Sequence, residues 1–447
     1  MMKIVLSSLC LLLLLPNLSL GRIEASSPKV FSLDECIQLA VKNNATLIAA
    51  ENSYKVARSN VWTAWGNFLP RLDTDLGYYR TVVGPKSTPG FTYNEATGEY
   101  SIGYPGINTY DYYTAGVNAR QSLSFGGYEF YDLSDKKAQK KSALGSLRLS
   151  QQEIIFLVKQ SYFDVLKTKM LLEIQKDALK RAEKQLNIAQ TRYELGSASF
   201  SDVLKAKVQH GNAKLALISA KNNAELAKAQ LNNQMGQDVN IPIDVEEVLT
   251  SSEFNYSYES ALEEALGKNP AVRKAKYDLN SAKSQFGMAR SGLFPSINLY
   301  GQYSWSNADF DEIKYIRRRD YQWNFGAYIS FNIFEKFQTK HNISWTKANR
   351  NSARQNYRQT QNDVALEVKQ AYLAIQEATE KIDLTNEKVK SAKEDLDLVQ
   401  EKYNLGAANI LELLDAEVSF KQAESDQVEA LYDYNLAVAQ FEKAIGK

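Results

Sequence analysis

The chain has 447 residues, and its 53 Lys and Arg nearly balance 52 Asp and Glu, leaving a formal net charge of +1. Nothing in that balance favours nucleic acid, whose partners usually carry a basic face. With only 22 glycines and 9 prolines, the composition favours long uninterrupted elements, and 26 Tyr and 18 Phe supply many aromatics.

The chain opens with Lys3, an apolar run from Ile4 to Leu15, Pro16 and then the small-residue stretch Ser19-Leu20-Gly21. Residues 1–21 therefore read as a signal peptide, too short to span a bilayer comfortably, and export is expected. Cys10 follows Leu9 inside the apolar run, a poor setting for a lipid anchor. Removal of this segment leaves Cys36 alone, so no intramolecular disulfide is expected and Cys36 reads as a small buried apolar residue. The remainder has no apolar run long enough for a membrane helix, so an exported chain of this kind is periplasmic, secreted, or membrane-embedded through strands.

The rest of the chain is written twice. Val158-Lys159-Gln160-Ser161-Tyr162 returns as Val368-Lys369-Gln370-Ala371-Tyr372, and Tyr193-Glu194-Leu195-Gly196 as Tyr403-Asn404-Leu405-Gly406, both at an offset of 210. Upstream the offset is 225, as in Asn44 and Asn269 or Pro70 and Pro295, so one copy carries a longer loop after its proline. A period this long is not a solenoid. It divides the chain into a first repeat at 22–236, an equatorial connector at 237–256 and a second repeat at 257–447. Each repeat is expected to run helix, strand, loop, strand, long helix, turn and return helix.

In the long helices Val158, Val165, Leu172, Leu179, Leu186 and Tyr193 recur every seven residues, as do Val368, Ile375, Ile382, Val389, Leu396 and Tyr403. Heptads mean helices that coil around neighbours. A helix from about Leu133 to Arg192 would be about 90 Å long, with Gly145 as its one soft point. Heptads alone fit a coiled-coil tether; the strands point elsewhere.

After Pro70, Leu72, Thr74, Leu76 and Tyr78 alternate with Asp73, Asp75, Gly77 and Tyr79, and after Pro295 the run from Ile297 to Trp305 alternates in the same way. The returning strands place Tyr113, Ala115, Val117 and Ala119 opposite in facing to Thr114, Gly116, Asn118 and Arg120, and the run from Trp323 to Phe331 repeats the pattern. Period two with an apolar outside, a polar inside and aromatic ends is the transmembrane barrel pattern. Four strands in lipid leave open edges, so several copies must supply strands; three would give about twelve. Thr81 to Tyr110 reads as a long outer loop, and Asn307 to Asp320 as a shorter one carrying Arg317-Arg318-Arg319. That triplet suits either an anionic cell surface or plain solvent.

Duplicated halves with two strands and a long helical hairpin, tipped by Arg192-Tyr193-Glu194-Leu195-Gly196, resemble the outer-membrane efflux proteins of the TolC family. The resemblance implies a mainly α fold with a transmembrane β part. In it four strands per protomer complete a twelve-stranded β-barrel in a homotrimer, continued by a coiled-coil α-barrel through the periplasm. It implies a passive exit duct in the outer-membrane lipid, opened by a periplasmic adaptor (membrane fusion) protein and an inner-membrane pump of a tripartite efflux or secretion system. Leu195-Gly196-Ser197 and Leu405-Gly406-Ala407 would be the adaptor-facing tips. Tyr403 and Asp202 match a tyrosine–aspartate link between the hairpins, while an arginine that reinforces closure is replaced by Ala408, opposite Ser201. Glu412 and Asp415 match two acidic ring positions at the narrowest constriction. Three residues apart, they share one helix face, and a trimer would place six carboxylates around the axis.

No enzyme constellation is present. The two histidines, His210 and His341, stand in helical stretches without a metal-ligand cluster, a phosphate-cradling glycine loop or a nucleophile elbow. No cofactor, metal or nucleic acid is expected. The alternative reading is a periplasmic coiled-coil scaffold or adaptor without a pore, which would give no reason for strands with an apolar face.

Overall fold

A computed structural model describes residues 29–247, apart from 86, 95 and 104–105, and residues 254–447. The expected signal peptide, Cys10 and part of the connector lie outside the described residues. In chain order the elements are β1 (Lys29–Phe31), α1 (Leu33–Asn43), α2 (Ala45–Gly66), β2 (Arg71–Val83), β3 (Gly90–Asn94), β4 (Glu99–Gly103), β5 (Asn108–Ser124), α3 (Tyr128–Glu194), α4 (Phe200–Gln234), β6 (Ile243–Val245), α5 (Tyr258–Lys268), α6 (Pro270–Ser291), β7 (Ser296–Asn307), β8 (Tyr321–Ser330), α7 (Gln338–Asn404) and α8 (Ile410–Ile445). A short 3-10 turn, Phe310–Tyr315, joins β7 to β8.

The repeat is visible in how each half ties its short helices to its hairpin. Asn44 ends α1 and caps α2 by accepting from the Thr46 amide at 2.9 Å, and its side-chain amide donates to the Gln234 carbonyl at 3.2 Å. Asn269 does the same between α5 and α6, accepting from Ala271 at 2.8 Å and donating to the Ala444 carbonyl at 2.9 Å. Each asparagine thus satisfies a helix start and a carbonyl at the end of the return helix at once. A sequence offset of 225 at the cap and 210 at the return helix is preserved as the same contact.

The long helices α3 and α7 each have 67 residues, about 100 Å at 1.5 Å per residue. In the first half, Val158, Tyr162, Val165 and Leu166 of α3 pack with Cys36, Leu231, Met235 and Ile243. In the second, Val368, Ala371 and Ile375 of α7 pack with Ala261, Ala265, Phe441 and Ile445. Cys36 is fully buried, and loss of water, with Glu35 beside it, pushes its thiol up to about 12, so it stays a neutral apolar filler. Gly145 is not a soft point: it is buried where α6 crosses α3, and a Cβ there would lie 2.9 Å from the Lys274 Cβ. Its lack of a side chain lets two helices approach closely.

The four-stranded sheet runs β2-β5-β7-β8, antiparallel throughout. Its register pairs Leu76 with Ala115, Ala115 with Trp305, and Trp305 with Tyr321, so one face collects the apolar and aromatic residues. The other face carries Asp73, Asp75, Asn118, Gln302 and Asn324, with Asn118 donating to Asp75 at 2.8 Å. The strands β2 and β8 each have a neighbour on one side only.

Three features differ from the sequence reading. Thr81 to Tyr110 is not all loop, because β2 and β5 extend into it and β3 pairs with β4 there. β1 and β6 form a small parallel ladder, Phe31 opposite Val245. The turn after β7 folds against the apolar face: Phe310 meets the Tyr113 ring at 5.3 Å, Tyr303 donates to the Ile316 carbonyl, and Trp305 is only 1% exposed. Arg319 of the triplet pairs with Glu312 and stacks on Tyr315 at 4.4 Å.

Candidate functional site

Two regions leave apolar or charged surface uncovered in the isolated chain: the sheet and the far end of the helical hairpins. The sheet's apolar face leaves Leu72, Leu76, Trp323, Phe325 and Ile329 exposed in the isolated chain. A face of this kind is stable against lipid or another protein surface and not against water. Near its outer end stand Tyr78, Tyr113, Tyr303 and Trp323, with ring centroids 5.0 Å apart for the first pair and 4.7 Å for the second. Beyond them Arg80 grips Asp111 through two bonds of 2.7 and 2.8 Å. Aromatics followed by charges mark the level where hydrocarbon gives way to headgroups.

At the far end, both hairpins turn on a left-handed glycine. Gly196 has φ 73° and Gly406 φ 77°. The Ser197 amide bonds to the Arg192 carbonyl and the Ala407 amide to the Lys402 carbonyl, both at 2.8 Å, which closes the last turn of α3 and of α7 as a Schellman motif. The expected tip residues Leu195, Gly196, Ser197, Leu405, Gly406 and Ala407 are all exposed, the two leucines at 76% and 85%. A large apolar side chain that exposed at a tight turn contributes little to the fold of this chain.

Behind the tips a third apolar cluster joins the two hairpins: Ala189, Val203 and Ala206 of the first with Leu396, Tyr403, Ile410, Leu413, Ala416 and Phe420 of the second. Along α8 the buried positions Leu413, Ala416, Phe420 and Ala423 form one stripe. Glu412 and Asp415 fall together on the exposed side, followed by Val418, Ser419 and Gln422. Asn409 caps the helix and its side-chain amide donates to Glu412 at 2.7 Å.

The other two expected gate residues are not joined by a hydrogen bond. Asp202 serves as the third residue of a capping box, its carboxylate accepting from the Ser199 amide at 3.2 Å and hydroxyl at 2.8 Å. Tyr403 is buried at 4% exposure beneath Arg192, whose guanidinium lies 4.4 Å from its ring. Arg192 also donates to the carbonyls of Tyr403 at 2.9 Å and Asn404 at 3.0 Å. In the sequence Arg192 stands out only within the tip motif, although the second copy has Lys402 at the equivalent place.

Further from the tip, polar groups cross the same seam. Gln185 donates to Gln400 at 2.6 Å. Arg181 lies 5.4 Å from the Phe420 ring and 3.6 Å from Glu424, an ion pair too long to be a hydrogen bond. Burial pushes both Glu417 and Glu424 up from the usual carboxylate range, against the opposing pull of Arg181. Among the described residues no group of three or more His, Cys, Asp or Glu is placed to hold a metal, and no helix is long and apolar enough to cross a membrane.

A profile of the family described as "Outer membrane efflux protein" matches residues 36–237 and 261–447, taking in both hairpins and the whole sheet. The chain belongs to that family. It is similar to the outer membrane protein TolC of Vibrio cholerae, with 23% identity over 93% of this chain and 90% of that one. It is also similar to the pyoverdine export outer membrane protein OpmQ of Pseudomonas aeruginosa, with 22% identity over 96% and 88%. Among solved structures, the Campylobacter jejuni CmeC outer membrane channel superimposes with a TM-score of 0.80 at 20% identity, covering 93% of this chain and 85% of that one. CusC superimposes with 0.79 at 19% identity, covering 93% and 92%. The protein is thus an outer-membrane efflux channel, a transporter and not an enzyme, and its mainly helical fold with a four-stranded sheet is that of the TolC family.

Proposed function

We propose that three copies close the sheet into a twelve-stranded barrel in the outer membrane, continued by a twelve-helix tube that forms the passive exit duct of a tripartite efflux or secretion system. The observation that carries this reading is a sheet with one apolar face and two unpaired edge strands, β2 and β8. Unpaired backbone groups in hydrocarbon cost several kcal/mol each, and a closed ring of strands removes them. Helices of about 100 Å then carry the lumen through the periplasm. Family membership supports the trimer.

The exposed tips, Leu195-Gly196-Ser197 and Leu405-Gly406-Ala407, are the surfaces for a periplasmic adaptor, which connects to an inner-membrane pump that supplies the energy. Glu412 and Asp415, repeated three times around the axis, form the cation-favouring constriction, with Tyr403 and Asp202 in the surrounding gate. We also propose the division into repeats at 22–236 and 257–447 about a connector at 237–256, supported by the paired Asn44 and Asn269 contacts.

Single-channel recording from detergent-extracted protein in a planar bilayer tests the reading. Small cation-selective steps, blocked by divalent cations added on the helical side, are expected. The double variant Glu412→Gln, Asp415→Asn should lose both selectivity and block; if it keeps them, the ring assignment is wrong. Absence of any conductance, from protein that stays in solution without detergent, would instead favour a coiled-coil scaffold.

A further inference from the structure

We propose that Arg192 is the latch that holds the second hairpin's tip against the first within each protomer, and that the Tyr403 hydroxyl is not. This rests on the reading of the helical end as the gate.

Three contacts converge on one guanidinium. Arg192 comes from the last turn of α3 and reaches across to the last turn of α7. There it donates to two carbonyls, Tyr403 at 2.9 Å and Asn404 at 3.0 Å, and lies 4.4 Å from the Tyr403 ring. Helix C-terminal carbonyls lack intrahelical donors and carry the negative end of the helix dipole, so a cation placed there is held strongly. The planar fork of arginine can meet two carbonyls and still face a ring; a lysine ammonium is a single point charge and cannot do all three.

The two copies of the repeat differ at this place. Tyr403 is 4% exposed under Arg192, whereas its repeat partner Tyr193 is 47% exposed, with its ring 5.5 Å from that of Phe200. Lys402, at the position equivalent to Arg192, makes no side-chain hydrogen bond or ion pair among the described residues. Asp202, the expected partner of the tyrosine hydroxyl, makes no hydrogen bond to it and instead caps α4 through one oxygen, which accepts from the Ser199 amide and hydroxyl. The polar part of closure at the tips therefore comes from a side chain of the first hairpin, added to the apolar cluster that joins the hairpins behind it.

The latch is also wired to the proposed docking turn. Ser197 bonds to the Arg192 carbonyl through both its amide at 2.8 Å and its hydroxyl at 3.0 Å. A partner that displaces Leu195-Gly196-Ser197 therefore displaces the backbone from which the guanidinium projects, and loosens α7 and α8 from α3.

The test compares Arg192→Ala, Arg192→Lys and Tyr403→Phe in planar bilayers, after each variant is confirmed to have the same detergent-extracted particle mass as the wild type. Arg192→Ala should raise single-channel conductance several-fold, and Arg192→Lys should raise it too because the fork is lost. Tyr403→Phe should raise it far less than either Arg192 variant, since the ring and both carbonyls remain. Wild-type conductance in both Arg192 variants would overturn the latch, as would a Tyr403→Phe channel as open as Arg192→Ala. If Arg192→Ala fails to assemble, the contrast between Arg192→Lys and Tyr403→Phe still decides. A wild-type protein that forms no pore would refute the duct itself, an outcome distinct from a pore indifferent to Arg192.

Discussion

Leu413 gives the sharpest test of how the two hairpins adhere near their tips. It is fully buried in the cluster that joins them, between Ala189 and Val203 of one hairpin and Tyr403 and Ile410 of the other. Truncating a buried leucine to alanine costs about 2–5 kcal/mol, from lost transfer free energy and the cavity left behind. Its neighbour Leu411 is 50% exposed, and trimming an exposed side chain changes stability by less than about 0.5 kcal/mol. Since about 1.4 kcal/mol is tenfold in an equilibrium constant, Leu413→Ala should multiply local opening of the seam by roughly 30-fold or more. Hydrogen exchange of the α8 amides near Ile410–Phe420, read by mass spectrometry on the detergent-extracted protein, measures that opening. The core around Val158 should keep its protection in the same sample. Equal exchange in Leu413→Ala and Leu411→Ala would refute the claim that this cluster holds the hairpins together.

Two further outcomes follow from particular contacts. Gly145→Ala should lower the melting temperature of the extracted protein, because overpacking of this kind costs about 1–3 kcal/mol. Adding Lys274→Ala should not rescue it, since the atoms met are the Lys274 Cβ at 2.9 Å and Cα at 3.2 Å, which alanine retains. The seam should also respond to pH. Burial raises the folded pKa of Glu417 and Glu424, so the folded seam binds protons more readily than the separated helices, and its stability falls as pH rises through the raised values. Exchange of α3 and α8 amides around Arg181 and Glu417 should accordingly be slower at pH 5 than at pH 7.5, after correction for intrinsic exchange rates. Glu417→Gln should shrink that difference, and an unchanged difference would show that other groups set it.

Much of this fold is written in two periodicities and one duplication. The alternation in Leu72 to Tyr79 and in Ile297 to Trp305 placed side chains on opposite faces before any pairing was known, because a strand offers no other arrangement. The ladders then put Leu76, Ala115, Trp305 and Tyr321 in one row. The seven-residue spacing of α7 is matched by burial at Val368, Ile375, Leu396 and Tyr403. In α3 the same stripe surfaces toward the tip, where Tyr193 is exposed and the small residues Ala182 and Ala189 are buried instead. The heptad identifies a sticky face without saying which neighbour covers it.

What remained illegible depended on contacts between distant parts of the chain. β1 and β6 are three residues each, too short for a periodic signal, and pair across more than two hundred residues. Gly145 looked like a weak point because a glycine that flexes and a glycine that admits a neighbouring helix have the same sequence signature. Arg192 carries no periodic mark either. Its role appears only when the end of α7 is brought beneath it, and the difference from Lys402 gains meaning only then.

Whether the open sheet is one third of a closed barrel is read from the mass of the detergent-extracted particle together with hydrogen exchange at the two edge strands. The expected result is a trimer in which the amides of both β2 and β8 are protected, since each edge is paired with a neighbouring copy. A monomer that stays soluble without detergent, with freely exchanging amides along either edge, would contradict it.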